Sequence, residues 1–159
     1  MDETMTTLVR RKEDDLAIRP IAAADAHAVA ELTSQLGYER SAVDIMQWIE
    51  GLAAVEGRQA AFVGCLGDEV VGWIEVSIER RLQSPEFGLI GGLVVRSGHR
   101  SAGIGRRLCR HAEAWTWDHG MTRLRVTSRS SRADAHRFYL RDGYKVLKTS
   151  MVFEKDRPS

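Results

Sequence analysis

Cysteine, proline and net charge are all scarce in this chain. Among 159 residues there are two cysteines, three prolines and a formal net charge of +1. Cys65 and Cys109 lie far apart and lack the spacing of a metal site, so no metal is expected. One bridge between them is one option; two reduced thiols in a cytoplasmic protein is the reading adopted. A near-zero net charge gives no general field to hold nucleic acid or an anionic membrane. No apolar run approaches the ~18 residues that cross a bilayer, and no charged-then-apolar leader opens the chain. The expectation is therefore a cytoplasmic protein with neither nucleic acid nor membrane as a partner. Repeats, low-complexity tracts and Pro/Gly/Ser-rich linkers are also missing, which leaves one domain of ordinary composition.

Residues 1–15 are polar and charged and read as a mobile leader; 156–159 read as a loose tail. Between them, Leu16 to Arg19 reads as a first strand ended by Pro20. Asp25 is a candidate N-cap for a helix carrying Val29, Leu32 and Leu36, closed by Gly37. Ser41 and Asp44 resemble a capping box opening a second helix, Ala42 to Val55. Ala60 to Leu66 and Val70 to Glu79 are strands joined by Gly67-Asp68, a two-residue hairpin turn. The second alternates apolar residues with Trp73, Glu75, Ser77 and Glu79, so one of its faces is mostly polar. Arg80 to Pro85 read as a loop.

Phe87 to Val95 is apolar on both faces and should be central, and Gly91-Gly92 within it predicts a bulge or a close backbone approach. The stretch His99 to Leu108 contains Gly103 and Gly105 and opens a third helix, with Ile104, Leu108, Ala112 and Trp115 facing inward. A strand, a glycine loop and a helix N-terminus make an anion site, because the first helical N–H groups are unpaired and carry the positive end of the dipole. Leu124 to Thr127 is a further strand, Arg132 to Leu140 a fourth helix, and Tyr144 to Lys155 a final strand. The order β-α-α-β-β-β-α-β-α-β describes an α/β (α+β) domain with a mixed sheet.

Arg100-Ser101-Ala102-Gly103-Ile104-Gly105 after a strand, Phe138-Tyr139 late in the next helix, and Gly143-Tyr144 beyond it resemble the GNAT superfamily of N-acetyltransferases. The family's loop is Arg/Gln-x-x-Gly-x-Gly/Ala, and all three fixed positions match. The resemblance covers residues 16–155 and implies a mostly antiparallel central sheet flanked by helices. It implies acetyl-CoA as donor, with pyrophosphate held by Arg100, Ser101, Ala102, Gly103, Ile104, Gly105 and Arg106. It implies a pantetheine arm paired along Leu93, Val94 and Val95, where the strand parts from its neighbour. Arg132 stands where many members carry an asparagine that touches the coenzyme. A homodimer is a common family assembly.

Acetyl transfer to an amine needs a base, an oxyanion stabiliser and an acid for the departing thiolate. Backbone N–H near Val94 or Val95 is the candidate for the oxyanion. Tyr139 is the candidate acid, acting on a thiol whose ordinary pKa of about 8.5 lies below tyrosine's of about 10. The strand position near Leu89, where many members carry a glutamate, is apolar here; Glu75 and Glu79 on the adjacent polar face are the substitutes considered, and Glu75 is preferred. A solvent relay without a dedicated base is the other option. The acceptor expected is a small-molecule primary amine, with a peptide amine second. An acyl-CoA sensor without turnover is a reading from a different class, supported by the missing strand glutamate and opposed by Tyr139. A dinucleotide fingerprint is excluded by Leu108 in place of a third glycine, and no Gly-x-x-x-x-Gly-Lys-Ser/Thr occurs.

Overall fold

The computed structural model describes residues 15–100 and 103–159. All but the last residue of the leader, and with them Ser101 and Ala102, lie outside the described residues. The chain divides into two compact units, Met1–Val126 and Thr127–Ser159.

The first unit is a five-stranded sheet in sequence order: β1 (Leu16–Pro20), β2 (Gln59–Leu66), β3 (Glu69–Arg81), β4 (Ser84–Val95) and β5 (Leu124–Val126). Neighbours are antiparallel except β4 and β5, which are parallel. Helices α1 (Ala26–Ser34) and α2 (Ala42–Gly51) precede β2, and α3 (Ile104–Asp118) separates β4 from β5. The Gly67-Asp68 turn joins β2 to β3 as expected, with Gly67 at φ 61°. The expected loop over 80–85 is shorter than the sequence suggests: β3 and β4 stay paired to Arg81↔Ser84, leaving Leu82-Gln83 as the turn. Pro85 fits inside β4 because the register is irregular between Glu79 and Arg81, and a residue without an N–H is tolerated there.

The α2 capping box forms reciprocally: Asp44 N–H donates to Ser41 Oγ (3.1 Å) and Ser41 N–H to Asp44 Oδ2 (3.0 Å). Past Gly51 the helix tightens into a 3-10 turn, Leu52–Val55, so the expected helix to Val55 ends in a different geometry. Asp25 precedes α1 but does not cap it with its side chain. Its buried carboxylate accepts from the Arg19 guanidinium (2.7 and 2.8 Å) and from Ala22 N–H (2.8 Å). The Arg19 hydrogen bonds, assisted by the Ala22 amide and opposed by burial, hold this carboxyl below the ordinary aspartate range.

Two layers of core flank the sheet. On one face α1 and α2 pack Val29, Leu32 and Ile45 against Val63, Cys65 and Val94. On the other, α3 lies on a trough of glycines. A Cβ at Gly72 would stand 3.1 Å from Leu108 Cδ1, and one at Gly88 would stand 2.5 Å from Thr116 Cγ2. Ile104, Leu108, Cys109, Ala112 and Thr116 are buried along α3, while Trp115 is only half-buried and stacks on His119. Cys65 and Cys109 are both buried, and no disulfide joins them.

The second unit holds α4 (Ala133–Arg141). The final strand expected over 144–155 does not form. A strand is defined by its ladder partner, and these residues have none among those described; Val146, Leu147, Met151, Val152 and Phe153 are exposed.

Gly88→Ala should cost about 1–3 kcal/mol in urea unfolding through overpacking, with part recovered when Thr116→Ser removes the opposing methyl. Because the Asp25 pKa is lowered on folding, its stabilisation is present above the ordinary aspartate pKa. That stabilisation is lost as pH falls through the lowered folded value. Asp25→Asn should therefore flatten the acid side of the stability–pH curve by roughly 1 kcal/mol, measured by denaturation between pH 7 and pH 3.

Candidate active site

The site is built around a bulge. Glu75 pairs with Gly92, while Val76 pairs with Ile90, so Gly91 is an extra residue in β4. The glycine pair leaves room for side chains from β3. A Cβ at Gly91 would lie 3.1 Å from Glu75 Oε2, and one at Gly92 only 2.7 Å from Trp73 Cη2. The indole and the carboxylate thus lie over the bulge where β4 side chains would otherwise stand. Of the two alternatives expected here, a bulge or a close backbone approach, the bulge is present, and what approaches the glycines closely is side chains of β3.

The bulge coincides with the end of the parallel ladder. β5 pairs only with Gly88, Leu89 and Ile90, so Gly91–Val95 continue with β3 as their only strand partner among the described residues. Arg96 N–H donates to Val71 O on β3 (2.7 Å). Strand alternation then turns the N–H and C=O of Val94 toward β3, and those of Leu93 and Val95 toward the open edge. Val94 O is accordingly 2.8 Å from where a Cβ of Gly72 would be. Of the two backbone donors considered for an oxyanion, geometry favours Val95 over Val94.

Beyond Val95 the chain turns through 96–100, with Arg100 exposed, and re-enters at Gly103, the N-cap of α3 with φ 74°. A left-handed φ at this position is easy for glycine and strained for other residues. Arg107 N–H donates to Gly103 O (3.1 Å), closing the first turn. The amides from Ile104 to Arg106 precede that bond and point out of the helix end, at the positive pole of the dipole. Arg106 and Arg107 are exposed, and Arg107 also donates to Leu16 O (3.0 Å), tying α3 to β1.

Glu75 is the carboxylate best placed for proton transfer in the first unit. It is half-buried, and burial pushes its pKa above the ordinary glutamate value; Glu79 adds to the rise. A hydrogen bond from Gln59 Nε2 to Oε1 (2.9 Å) opposes it. Glu79 accepts from Ser77 Oγ (2.9 Å) and pairs with Arg81 (3.8 Å). Glu86 is engaged by Arg58 (3.5 Å) and Arg80 (3.9 Å), which makes it a surface ion-pair residue. An open cleft of about 440 Å³ begins beside Gln59, walled by Val55, Glu56, Ser77 and Glu79. Gln59 carries no motif and sits 16 residues from Glu75. Counting back from the Gly67-Asp68 turn would set it opposite Val76; the register shift between Gly64 and Cys65 brings it opposite Ser77 instead.

In the second unit Tyr139 is half-buried on α4, edge-on to Phe138 (5.2 Å) and Tyr144 (5.6 Å). Tyr144 N–H donates to Tyr139 O (3.0 Å), and Gly143 supplies the left-handed turn with φ 94°. The Phe-Tyr and Gly-Tyr pairs are therefore one local structure, in which a glycine turn folds the second tyrosine back on the first. Arg132 is the exposed N-cap of α4. His136 Nε2 is hydrogen-bonded to Arg129 O (2.8 Å), which fits the helix-face role expected of it. Among the described residues no group of His, Cys, Asp or Glu could hold a metal, and no helix is long and apolar enough to cross a membrane.

Residues 24–144 match the family model for the acetyltransferase (GNAT) family. The chain is 32% identical over 142 residues to aminoglycoside N(6')-acetyltransferase type 1 of Stenotrophomonas maltophilia, covering 86% of this chain and 90% of the relative. It is 31% identical over 144 residues to the aminoalkylphosphonate N-acetyltransferase of Salmonella typhimurium (strain LT2), covering 87% and 92%. Its fold matches that of AAC(6')-Iy, solved with a CoA-linked bisubstrate analogue, at a TM-score of 0.74 and 15% identity over 89% of this chain and 99% of the other. With its bulged central strand, open edge and glycine-capped helix, the chain belongs to the acetyltransferase (GNAT) family.

Proposed function

We propose that this chain transfers an acetyl group from acetyl-CoA to the primary amine of a small molecule, by direct attack in a ternary complex. One observation carries the reading. The Glu75 carboxylate lies over the β4 bulge, beside the strand edge left open where β5 ends. Two curated relatives act on small amines by their names, an aminoglycoside and an aminoalkylphosphonate, which supports that acceptor class over a peptide.

In this reading the donor's pyrophosphate is taken by Arg100, Ser101, Ala102, Gly103, Ile104, Gly105 and Arg106, and its amide arm adds along Leu93–Val95. Leu93 and Val95 offer outward-turned backbone groups for that pairing. Glu75 removes the proton that the amine loses as its nitrogen bonds to the thioester carbonyl, and Val95 N–H is the donor for the oxyanion. The C–S bond then breaks with its electron pair on sulfur, and Tyr139 gives the thiolate a hydrogen bond and a proton. Arg132 is assigned to a coenzyme phosphate, and Tyr139 to its role, on sequence pattern alone. Residues 16–155 act as the acetyltransferase domain, 1–15 as leader and 156–159 as tail, in a cytoplasmic homodimer that uses no metal.

Coenzyme release from acetyl-CoA should be seen with kanamycin or 2-aminoethylphosphonate and be far slower with a lysine peptide. Glu75→Gln should lower kcat about 100-fold and remove the acid limb of its pH profile, because the base with the raised pKa is gone. Tyr139→Phe should lower kcat about tenfold or more. Gly103→Glu should abolish acetyl-CoA binding in calorimetry, since it puts bulk and negative charge at the helix end; normal affinity would remove the loop from the donor site.

A further inference from the structure

We infer that Gln59 is a positioning residue: its side-chain amide, together with the bare Cα of Gly91, fixes the Glu75 carboxylate on the bulge with Oε2 turned to the acceptor. The inference rests on the reading of Glu75 as base. The two carboxylate oxygens have different surroundings. Oε1 accepts from Gln59 Nε2 at 2.9 Å, across from β2. Oε2 is the oxygen nearest the bulge, 3.1 Å from where a Gly91 Cβ would be. No protein donor to Oε2 occurs among the described residues. The amide therefore occupies one oxygen and leaves the other for the amine.

An amide suits this position chemically. Its N–H donates without titrating, so it favours the ionised carboxylate at every pH. The neighbouring groups make that contribution necessary. Glu79, on the same face of β3, repels the charge, and burial penalises it. Of the other charged groups at the cleft, Glu56 and Arg58 line it beside Gln59, and Arg58 is paired with Glu86 at 3.5 Å; Gly91 brings no side chain and Gln59 no charge. Gln59 is thus the group that favours the ionised base against burial and Glu79. Gly91 matters for a different reason: a Cβ there would stand 3.1 Å from Oε2 and make the carboxylate give by a few tenths of an ångström. The step served is balanced as above. Oε2 takes the amine proton as the N–C bond forms, and the C–S electron pair leaves on sulfur.

The test reads Glu75 directly. Its side-chain carboxyl is titrated by carbon NMR in the full chain, with Glu75→Gln giving the assignment. Gln59→Met, which removes the donor and keeps the length, should move the Glu75 midpoint upward. The isosteric Gln59→Glu should move it in the same direction, through a proton shared by two carboxylates. With kanamycin or 2-aminoethylphosphonate as probe, kcat/KM of Gln59→Met should fall about tenfold at the acid end and less than about threefold on the alkaline plateau. Gly91→Ala should lower kcat with little change in KM. A Glu75 midpoint unmoved in both Gln59 variants overturns the role of Gln59. An acid limb that survives in Glu75→Gln overturns the reading of Glu75 beneath it, and with it the positioning role.

Discussion

One extra residue in a central strand governs this molecule. Gly91 has no partner of its own in the β3–β4 ladder, and the strand bends where it is inserted. Ahead of the bulge β4 pairs with β5; beyond it, among the described residues, β3 is the strand's only ladder partner up to the turn that leads into α3. The same insertion places Gly91 and Gly92 under Glu75 and Trp73. A single offset thus opens a strand edge, creates a seat for a buried acid, and aims the chain at the helix end that favours anions.

The strand position where the family resemblance leads one to expect a glutamate is Leu89, among apolar neighbours. A carboxylate reaches the bulge from the adjacent strand β3 instead. The need for room at that point is met by Gly91 and Gly92, which carry no side chains. It also explains why the pair stands in a strand otherwise rich in leucine, isoleucine and valine, where glycine weakens pairing.

Much of this was legible in the sequence. The Ser41–Asp44 box, the Gly67-Asp68 hairpin and the polar alternation through Trp73, Glu75, Ser77 and Glu79 are local signals, and each specifies its element by nearest-neighbour chemistry. Gly91-Gly92 was readable as a bulge, but what it accommodates was not, because that depends on register with β3. Gln59 was invisible for the same reason: its meaning comes from a residue across the sheet. Asp25 holds the N-cap position expected of it, but its side chain found a stronger partner in Arg19, six positions back. The expected last strand failed because periodicity supplies a face but not the neighbour that makes it a strand.

The glycine trough beneath α3 has a broader consequence. Leu108 and Thr116 rest almost on the backbone of β3 and β4, so the height and axial position of the helix are set by main chain. Its N-terminus inherits that rigidity. The opposite face is packed by α1 and α2 at one end, but toward Ser77 and Glu79 it is a cleft of half-buried side chains on a strand already fixed from behind. One side of the sheet is therefore a fixed anvil, and the other can be re-tooled residue by residue. A fold partitioned in this way can change the molecules it modifies without disturbing the grip on the group it delivers.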